Sequence, residues 1–319
     1  MSPSGSFTGL RVVLVAAFNR RYHRSGVALG SALHELGCDV RRCEARLRGL
    51  NSIFRRPLAA RLRGVLTQRR ADVVLVFKGT ELHPDSIGEL KRAFGGRWAN
   101  WFPDDPHALA VSTALSPAYD AFFTHDSSSV EPHRRAGARA HYLSFGCEPA
   151  YHRPLAVAAP WRSAVTFVGS RDPARARVLA DVADLGIRTW GPRWPAGPVY
   201  GDDFIRALAG ASVGLNIHQH FGPAGDPARY GTGANMRLFE LAAVGTPQLS
   251  DAKADIARHF APDREIVLYR SVAELREQAR ALLADDERRR ALAAAARTRA
   301  LREHTWAQRL EELLSVVLR

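Results

Sequence analysis

The sequence predicts two α/β domains of similar size, each a parallel sheet flanked by helices. Three observations carry this. Short apolar runs rich in Val, Ile and Phe alternate with stretches of helical periodicity from residue 11 to the C-terminus, the pattern of strands joined by crossover helices. A chain of 319 residues is long for one domain and comfortable for two. An irregular, proline-flanked segment, residues 145–154 (FGCEPAYHRP), interrupts the alternation near the middle, after which it restarts.

In the first half, residues 11–17 (RVVLVAA) read as a buried strand, 26–36 as a helix closed by Gly37, and 39–42 as a second strand. The loop between the first strand and helix carries Arg20, Arg21, His23 and Arg24. It has no Gly-x-Gly-x-x-Gly, which excludes a dinucleotide fingerprint there. Between Arg41 and Arg70 ten arginines meet one acid, Glu44, and Leu58, Leu62 and Leu66 fall in line on a helix-like stretch, 57–66. This is either a solvated helix face or a basic amphipathic surface that touches an anionic acceptor or a lipid leaflet. Residues 71–78 (ADVVLVFK) form the next strand, 84–94 a helix, and 97–102 (RWANWF) a strand running into Pro103-Asp104-Asp105-Pro106-His107. Carboxylates at the C-terminal end of a strand stand where α/β proteins place their sites. Adjacent residues on an extended chain point apart, however, so as a metal pair they are weak, and a helix cap and turn is the plain alternative. Strand 119–125 (YDAFFTH) ends at His125-Asp126, and a short helix (129–135) and a strand (140–143) complete the half.

In the second half, strand 164–168 (AVTFV) leads into Gly169-Ser170-Arg171-Asp172, and helix 173–185 carries Arg175 and Arg177 before Gly186. Strand 187–190 leads into Gly191-Pro192-Arg193-Trp194, helix 204–209 follows, and strand 211–217 (ASVGLNI) ends at His218. The loop 219–234 is long and holds four glycines, a length that marks functional or mobile loops. It opens into the stretch around which the chain is organised, Thr232 to Pro247. Asn235 is the expected N-cap, its side-chain oxygen taking an orphan amide of the first turn. Leu238, Leu241 and Ala242 make an apolar face, and Gly245 then Pro247 stop the helix. A helix N-terminus opening from a glycine loop, with Arg237 and Glu240 beside it, is a ready anion site. It suits a phosphate on the amides and ribose hydroxyls on Glu240; the plain alternative is a capped helix with a solvent-exposed ion pair. A strand ending at Leu249-Ser250, a helix (254–260), a strand (265–269), two helices within 271–305 broken near Asp285-Asp286, and a last helix (307–318) complete the chain. The expected organisation is an N-terminal domain (1–155), a C-terminal domain (156–302) and a terminal helix (303–319) packing back across the interdomain region, with a site in the cleft between the halves.

Composition narrows the function classes. The chain has 45 basic against 32 acidic residues, formally +13, and all but Lys78, Lys91 and Lys253 of the basic residues are arginine. Part of that bias is what a GC-rich genome produces; the excess still favours anionic partners. The arginines spread through the chain with no nucleic-acid motif, so no nucleic acid is expected. Cys38, Cys43 and Cys147 make no zinc spacing. The polar N-terminus lacks an apolar core, and nothing reaches the roughly 18 apolar residues of a membrane span. The expectation is a cytoplasmic protein, with residues 41–70 as the segment for peripheral contact with an anionic surface.

A family resemblance rests on Phe167-Val168-Gly169-Ser170, Trp190-Gly191 with Arg193-Trp194, Leu215-Asn216-Ile217-His218, Asn235-Met236-Arg237-Leu238-Phe239-Glu240, Gly245-Thr246-Pro247 with Asp251, and Thr305-Trp306-Ala307-Gln308-Arg309. In order and spacing these resemble the C-terminal domain of GT-B glycosyltransferases, and more narrowly the CgeB-like group related to the retaining family-four enzymes. Asp104-Asp105-Pro106 after the Trp-rich strand and Gly146-Cys147-Glu148-Pro149 extend the resemblance in outline to the first half. It implies two Rossmann-like domains facing across a cleft, a nucleoside-diphosphate-sugar donor (UDP- or dTDP-sugar favoured) in the C-terminal half, and an acceptor in the N-terminal half. The acceptor would be a natural product, a peptide or a surface glycan.

By the same resemblance Glu240 holds the ribose and the amides of Gly233, Ala234, Asn235 and Met236 cradle the diphosphate. Arg237 and one of Arg171, Arg175 or Arg177 supply positive charge, and Gly169, Ser170, Arg193 and His218 stand at the donor. His125, Asp104 and Asp105 are candidates to orient the acceptor hydroxyl or the sugar, and His218 could equally be a strand-end histidine. Related enzymes often carry a second glutamate where this chain has Thr232, so the contact with the sugar is made differently here. Arginines and a helix N-terminus can stabilise a departing diphosphate without a metal; no metal and no other cofactor are expected, and the absence of Asp-x-Asp agrees. Retention follows from the resemblance alone. Two other readings remain: a sugar-nucleotide epimerase or hydrolase on the same fold, and a degenerate, non-catalytic nucleotide-binding module.

Overall fold

The structure, a computed structural model, describes residues 7–18, 24–46, 57–219 and 231–319. Arg20, Arg21 and His23, the middle of the basic 41–70 segment, and most of the 219–234 loop lie outside the described residues. The chain divides into two compact units: Met1–Ser144 together with Trp306–Arg319, and Phe145–Thr305. The proline-flanked segment 145–154 is thus the start of the second unit.

The first unit alternates β1 (Arg11–Ala16), α1 (Ser25–Glu35), β2 (Asp39–Glu44), α2 (Leu58–Gln68), β3 (Val73–Phe77), α3 (Pro84–Phe94), β4 (Arg97–Phe102), α4 (Leu109–Leu115), β5 (Ala121–Thr124), α5 (Val130–Arg135) and β6 (Ala140–Tyr142). Its six strands are all parallel, in the order β2-β1-β3-β4-β5-β6. Strands buried on both faces read as continuous apolar runs, which is why β1 and β3 are so legible. The order reverses between β1 and β3, and α/β sheets hold ligands outside the strand C-termini at such a point. Leu58, Leu62 and Leu66 of α2 are buried against Val13, Val74, Ile87 and Trp98. Burying each leucine contributes about 2 kcal/mol. The apolar stripe of α2 therefore faces the core, and on its solvent side Arg63 stands beside Glu89, at 3.7 Å.

The second unit contains β7 (Ser163–Val168), α6 (Pro173–Asp181), β8 (Ile187–Trp190), α7 (Asp202–Ala209), β9 (Ala211–Asn216), α8 (Met236–Val244), β10 (Gln248–Asp251), β11 (Val267–Tyr269), α9 (Val272–Ala284) and α10 (Asp286–Glu303). Its five parallel strands run β11-β10-β9-β7-β8, with the reversal between β7 and β9. Two expected helices are shorter. The helix after β7 ends at Asp181, and a 3-10 turn, Ala183–Leu185, carries the chain to left-handed Gly186 at φ +64°. Residues 254–260 make only a 3-10 turn, Ala254–Arg258, in which the orphan amide of Asp255 donates to the Thr232 carbonyl at 3.0 Å. The last helix, α11 (Trp306–Val317), belongs to the first unit. There it packs on α1, β4 and β5, with the Trp306 ring 5.4 Å from that of Trp101. No helix among the described residues is long and apolar enough to cross a membrane.

All three cysteines are buried and free of disulfides. Burial pushes the Cys38 and Cys43 thiols up to about 11. The reactive form is the thiolate, so at pH 8 only about one in a thousand would be ionised. The native protein is expected to leave both unlabelled by a disulfide reagent at pH 8, over a time in which urea-unfolded protein reacts fully. Rapid labelling of either in the native state would contradict their place in the core.

Candidate functional site

In the second unit the candidate residues gather where the sheet order reverses, at the C-terminal ends of β7 and β9. Arg175, on the first turn of α6, bridges the two strand ends. Its Nε and Nη2 donate to the Ile217 carbonyl at 3.0 and 2.7 Å, and its Nη1 donates to the Ser170 carbonyl at 3.1 Å and Oγ at 3.3 Å. Burial pushes its pKa below the ordinary arginine value, opposed by the carboxylates of Asp172 and Asp251. This guanidinium cross-links the loops. Of the other two expected diphosphate cations, Arg177 is exposed on α6, and Arg171 is exposed with its guanidinium 5.5 Å from the Trp194 ring centre.

The loops after β7 and β8 meet backbone to backbone. The Gly169 amide donates to the Trp190 carbonyl at 2.8 Å, and Trp194 Nε1 donates to the Gly169 carbonyl at 2.9 Å. Gly191 sits at φ +140°, and a Cβ there would lie 2.1 Å from the Gly169 oxygen, so no other residue fits. Arg193 adopts φ +71° and is exposed.

α8 opens at Asn235, which has the extended backbone of an N-cap (φ −80°, ψ 166°), but its side chain makes no capping bond. This corrects the sequence expectation. Its Nδ2 donates to Asn216 Oδ1 at 3.0 Å, and Asn216 Nδ2 donates to Ser250 Oγ at 3.1 Å. Asn216 is buried at the end of β9 and needs a donor; its bond to Nδ2 turns the Asn235 side chain away from the first turn, and Oδ1 makes no cap. His218 completes the anchoring. Its Nδ1–H donates to the Asp251 carboxylate at 2.6 Å, and its Nε2 accepts the Asn235 amide at 3.2 Å. These two bonds assign the tautomer, so His218 holds the start of α8 to the end of β10. The expected stop is present: Gly245 is left-handed at φ +82° and its amide donates to the carbonyls of Leu241 and Ala242.

Ahead of α8, Gly233 and Ala234 are buried. The Thr232 hydroxyl donates to Asp255 Oδ2 at 2.9 Å, so it pins the incoming loop. One turn into α8, Arg237 and Glu240 form an ion pair, with side chains 18% and 17% exposed. Arg237 is held on two further sides: its Nε donates to the Val168 carbonyl at 3.1 Å, and its guanidinium lies 4.5 Å from the Phe204 ring centre. Glu240 has a second neighbour, His152, whose Nε2 is 3.8 Å from Oε1. His152 Nδ1 accepts the Glu148 amide at 3.0 Å, which leaves its proton on the nitrogen facing Glu240. Phe204 and His152 were missed in the sequence because neither carries a motif; each is recognisable only from what it touches.

In the first unit Asp104 and Asp105, adjacent in sequence, have different surroundings. Asp105 is 1% exposed. Its Oδ1 accepts from Ser112 Oγ at 2.5 Å and its Oδ2 lies 2.9 Å from His133 Nε2, whose Nδ1 is 3.0 Å from Ser116 Oγ. That buried network ties the turn after β4 to α4 and α5. Asp104 pairs instead with Lys78 Nζ, the side chains being 39% and 33% exposed. Lys78 adopts φ +71° at the end of β3. The left-handed region costs a residue with a Cβ about 1–2 kcal/mol, whereas an ion pair this exposed contributes about 0–1 kcal/mol. His125 follows β5, whose Thr124 is in register with Phe102 of β4, so it stands at the same sheet edge. Among the described residues no three His, Cys, Asp or Glu side chains stand together as a metal-ligand cluster.

Residues 171–315 match the model of a family described as glycosyl transferase-like. No curated protein matches the chain. Solved structures match over nearly the whole length. Sucrose-phosphate synthase from Thermosynechococcus elongatus has a TM-score of 0.67 at 13% identity, covering 97% of this chain and 99% of that one. Anabaena HepE in complex with UDP-glucose has 0.62 at 11%, covering 96% and 100%. A glycosyltransferase involved in avilamycin A biosynthesis has 0.64 at 16%, covering 97% of each. At these identities the likeness establishes the fold, two parallel-sheet α/β units of GT-B type. Joined to the family match over residues 171–315, it identifies the chain as a glycosyltransferase of the GT-B type.

Proposed function

We propose that this glycosyltransferase belongs to the CgeB-like group and is metal-independent and retaining. It moves a sugar from a UDP- or dTDP-sugar, held by the C-terminal unit, to an acceptor held by the N-terminal unit. The observation that carries this is the Arg237–Glu240 pair, fixed on α8 beside the strand reversal by the Val168 carbonyl and the Phe204 ring. Glu240 accepts hydrogen bonds from the ribose hydroxyls. The start of α8 faces the diphosphate, with the Asn235 amide engaged by His218, Arg237 beside it and exposed Arg171 or Arg177 meeting the outer charge. When the bond from the sugar's anomeric carbon to phosphate breaks, its electron pair leaves with the nucleoside diphosphate. Cations already in place stabilise that charge without reorganising. The acceptor hydroxyl forms the new bond to that carbon and gives its proton to the departing diphosphate, with Asp104 and His125 as the groups that orient it. The crystal structures of HepE with UDP and with UDP-glucose support a uridine donor.

The test is thermal stabilisation of the purified full chain by UDP, dTDP, GDP and ADP with EDTA present. A ligand that binds only the folded state adds about 2.7 kcal/mol at a hundredfold excess over its dissociation constant. The expected result is a rise in melting temperature with UDP or dTDP that EDTA does not abolish. A flat response to all four sinks the donor site; a response that needs a divalent cation sinks metal independence.

A further inference from the structure

We propose that Lys78 and Asp104 are the acceptor-recognition pair of the N-terminal unit, and that they take a neutral acceptor bearing adjacent hydroxyls. The proposal rests on the transferase reading above. β3 flanks the reversal of the first sheet, between β1 and β3, where α/β sheets take ligands. Its strand ends in a sharp turn with Lys78 and Gly79 both at positive φ, +71° and +70°. Gly79 has a local reason, since a Cβ would lie 2.3 Å from Val76 Cγ1. Lys78 has none. Its backbone bonds, the amide to the Trp101 carbonyl at 3.0 Å and the carbonyl from Asn100 Nδ2 at 3.0 Å, would form as well with glycine.

The lysine ammonium is directed to Asp104, half-exposed beyond the next strand. The ion pair by itself offsets less than the turn costs, and strain of this kind collects at functional sites. The turn is also held from beneath, because Asn100, fully buried in β4, gives its amide to the Lys78 carbonyl. A preorganised lysine on a rigid strand end is what a recognition site requires.

The chemistry selects the ligand class. An ammonium has three donors and a carboxylate about four acceptor positions, so the paired groups keep capacity on both sides. One hydroxyl of a vicinal diol can donate to Asp104 while its neighbour accepts from Lys78. The pair is neutral overall, so a phosphate or carboxylate would meet the Asp104 charge before it gained the Lys78 one. A sugar or cyclitol hydroxyl pair fits both.

The experiment is ligand-observed saturation-transfer NMR on the full chain, with methyl α-D-glucopyranoside, myo-inositol, glucose 6-phosphate and UDP as probes. The variants are Lys78→Gly, Lys78→Arg, Asp104→Asn and Glu240→Ala. At least one neutral probe is expected to show transfer that falls fivefold or more in Lys78→Gly and Asp104→Asn, recovers in part in Lys78→Arg, and is unchanged in Glu240→Ala. UDP transfer should show the opposite dependence. Lys78→Gly should melt at or above the wild-type temperature, which separates lost recognition from lost folding. The proposal is overturned if no neutral probe shows Lys78-dependent transfer, if glucose 6-phosphate exceeds the neutral probes tenfold through Lys78, or if Lys78→Gly melts lower. Polyol transfer that persists when UDP gives none would instead overturn the donor reading and leave this site standing.

Discussion

Replacing Asp105 with alanine is expected to lower the melting temperature of the N-terminal unit on the order of 10 °C. The side chain accepts from Ser112 and meets His133, which in turn meets Ser116, and all four residues are buried. Removing one partner of a buried, hydrogen-bonded pair costs about 3–5 kcal/mol, because the other is left without compensation. For a unit of this size each kcal/mol moves the midpoint by roughly 2–4 °C. His133→Ala should cost a similar amount, and the double variant much less than the sum, since both break one network. Differential scanning calorimetry decides it. A catalytic Asp105 predicts lost turnover with an unchanged midpoint, and that outcome would remove the cross-linking role.

Glu240→Ala is expected to weaken UDP binding on the order of 100-fold, about 2.7 kcal/mol, by calorimetric titration. A carboxylate accepting two ribose hydroxyls makes hydrogen bonds of about 1.5–3 kcal/mol each, and truncation removes both. The loss is tempered because Arg237, relieved of its partner, can turn more fully to phosphate. Glu240→Gln keeps the shape and removes the charge, so it should fall between. Stability should drop by only about 1 kcal/mol, since the pair is partly exposed and Arg237 keeps its bond to the Val168 carbonyl. Affinity within twofold of wild type, with the midpoint lowered, would leave Glu240 as a structural partner of Arg237 and no more.

These two carboxylates show how far a sequence reaches. Glu240 sits on a helix whose start, stop and buried face are local matters. Glycine before the first turn, Leu238 and Leu241 at helical spacing, and Gly245 at φ +82° are decided by backbone sterics and periodicity. The placement of Arg237 and Glu240 three residues apart follows at once. Asp104 and Asp105 offered no such handle. Their separation into an exposed ion pair and a buried acceptor depends on Lys78, 26 residues earlier, and His133, 28 residues later, which only the sheet brings near.

The sequence alone determined the two α/β units, the parallel strands and the helix carrying Arg237 and Glu240, because apolar period, glycine and proline act within a few residues. The tertiary structure decided which polar groups meet. It took the Asn235 side chain from its cap to Asn216, sank the Arg175 charge between the Ser170 and Ile217 carbonyls, and turned the leucines of α2 to the core. The physical reason is common to all three. A buried polar or apolar group must find its partner wherever the packed chain supplies one, and hydrogen-bond satisfaction across a sheet outweighs the preferences of a single turn.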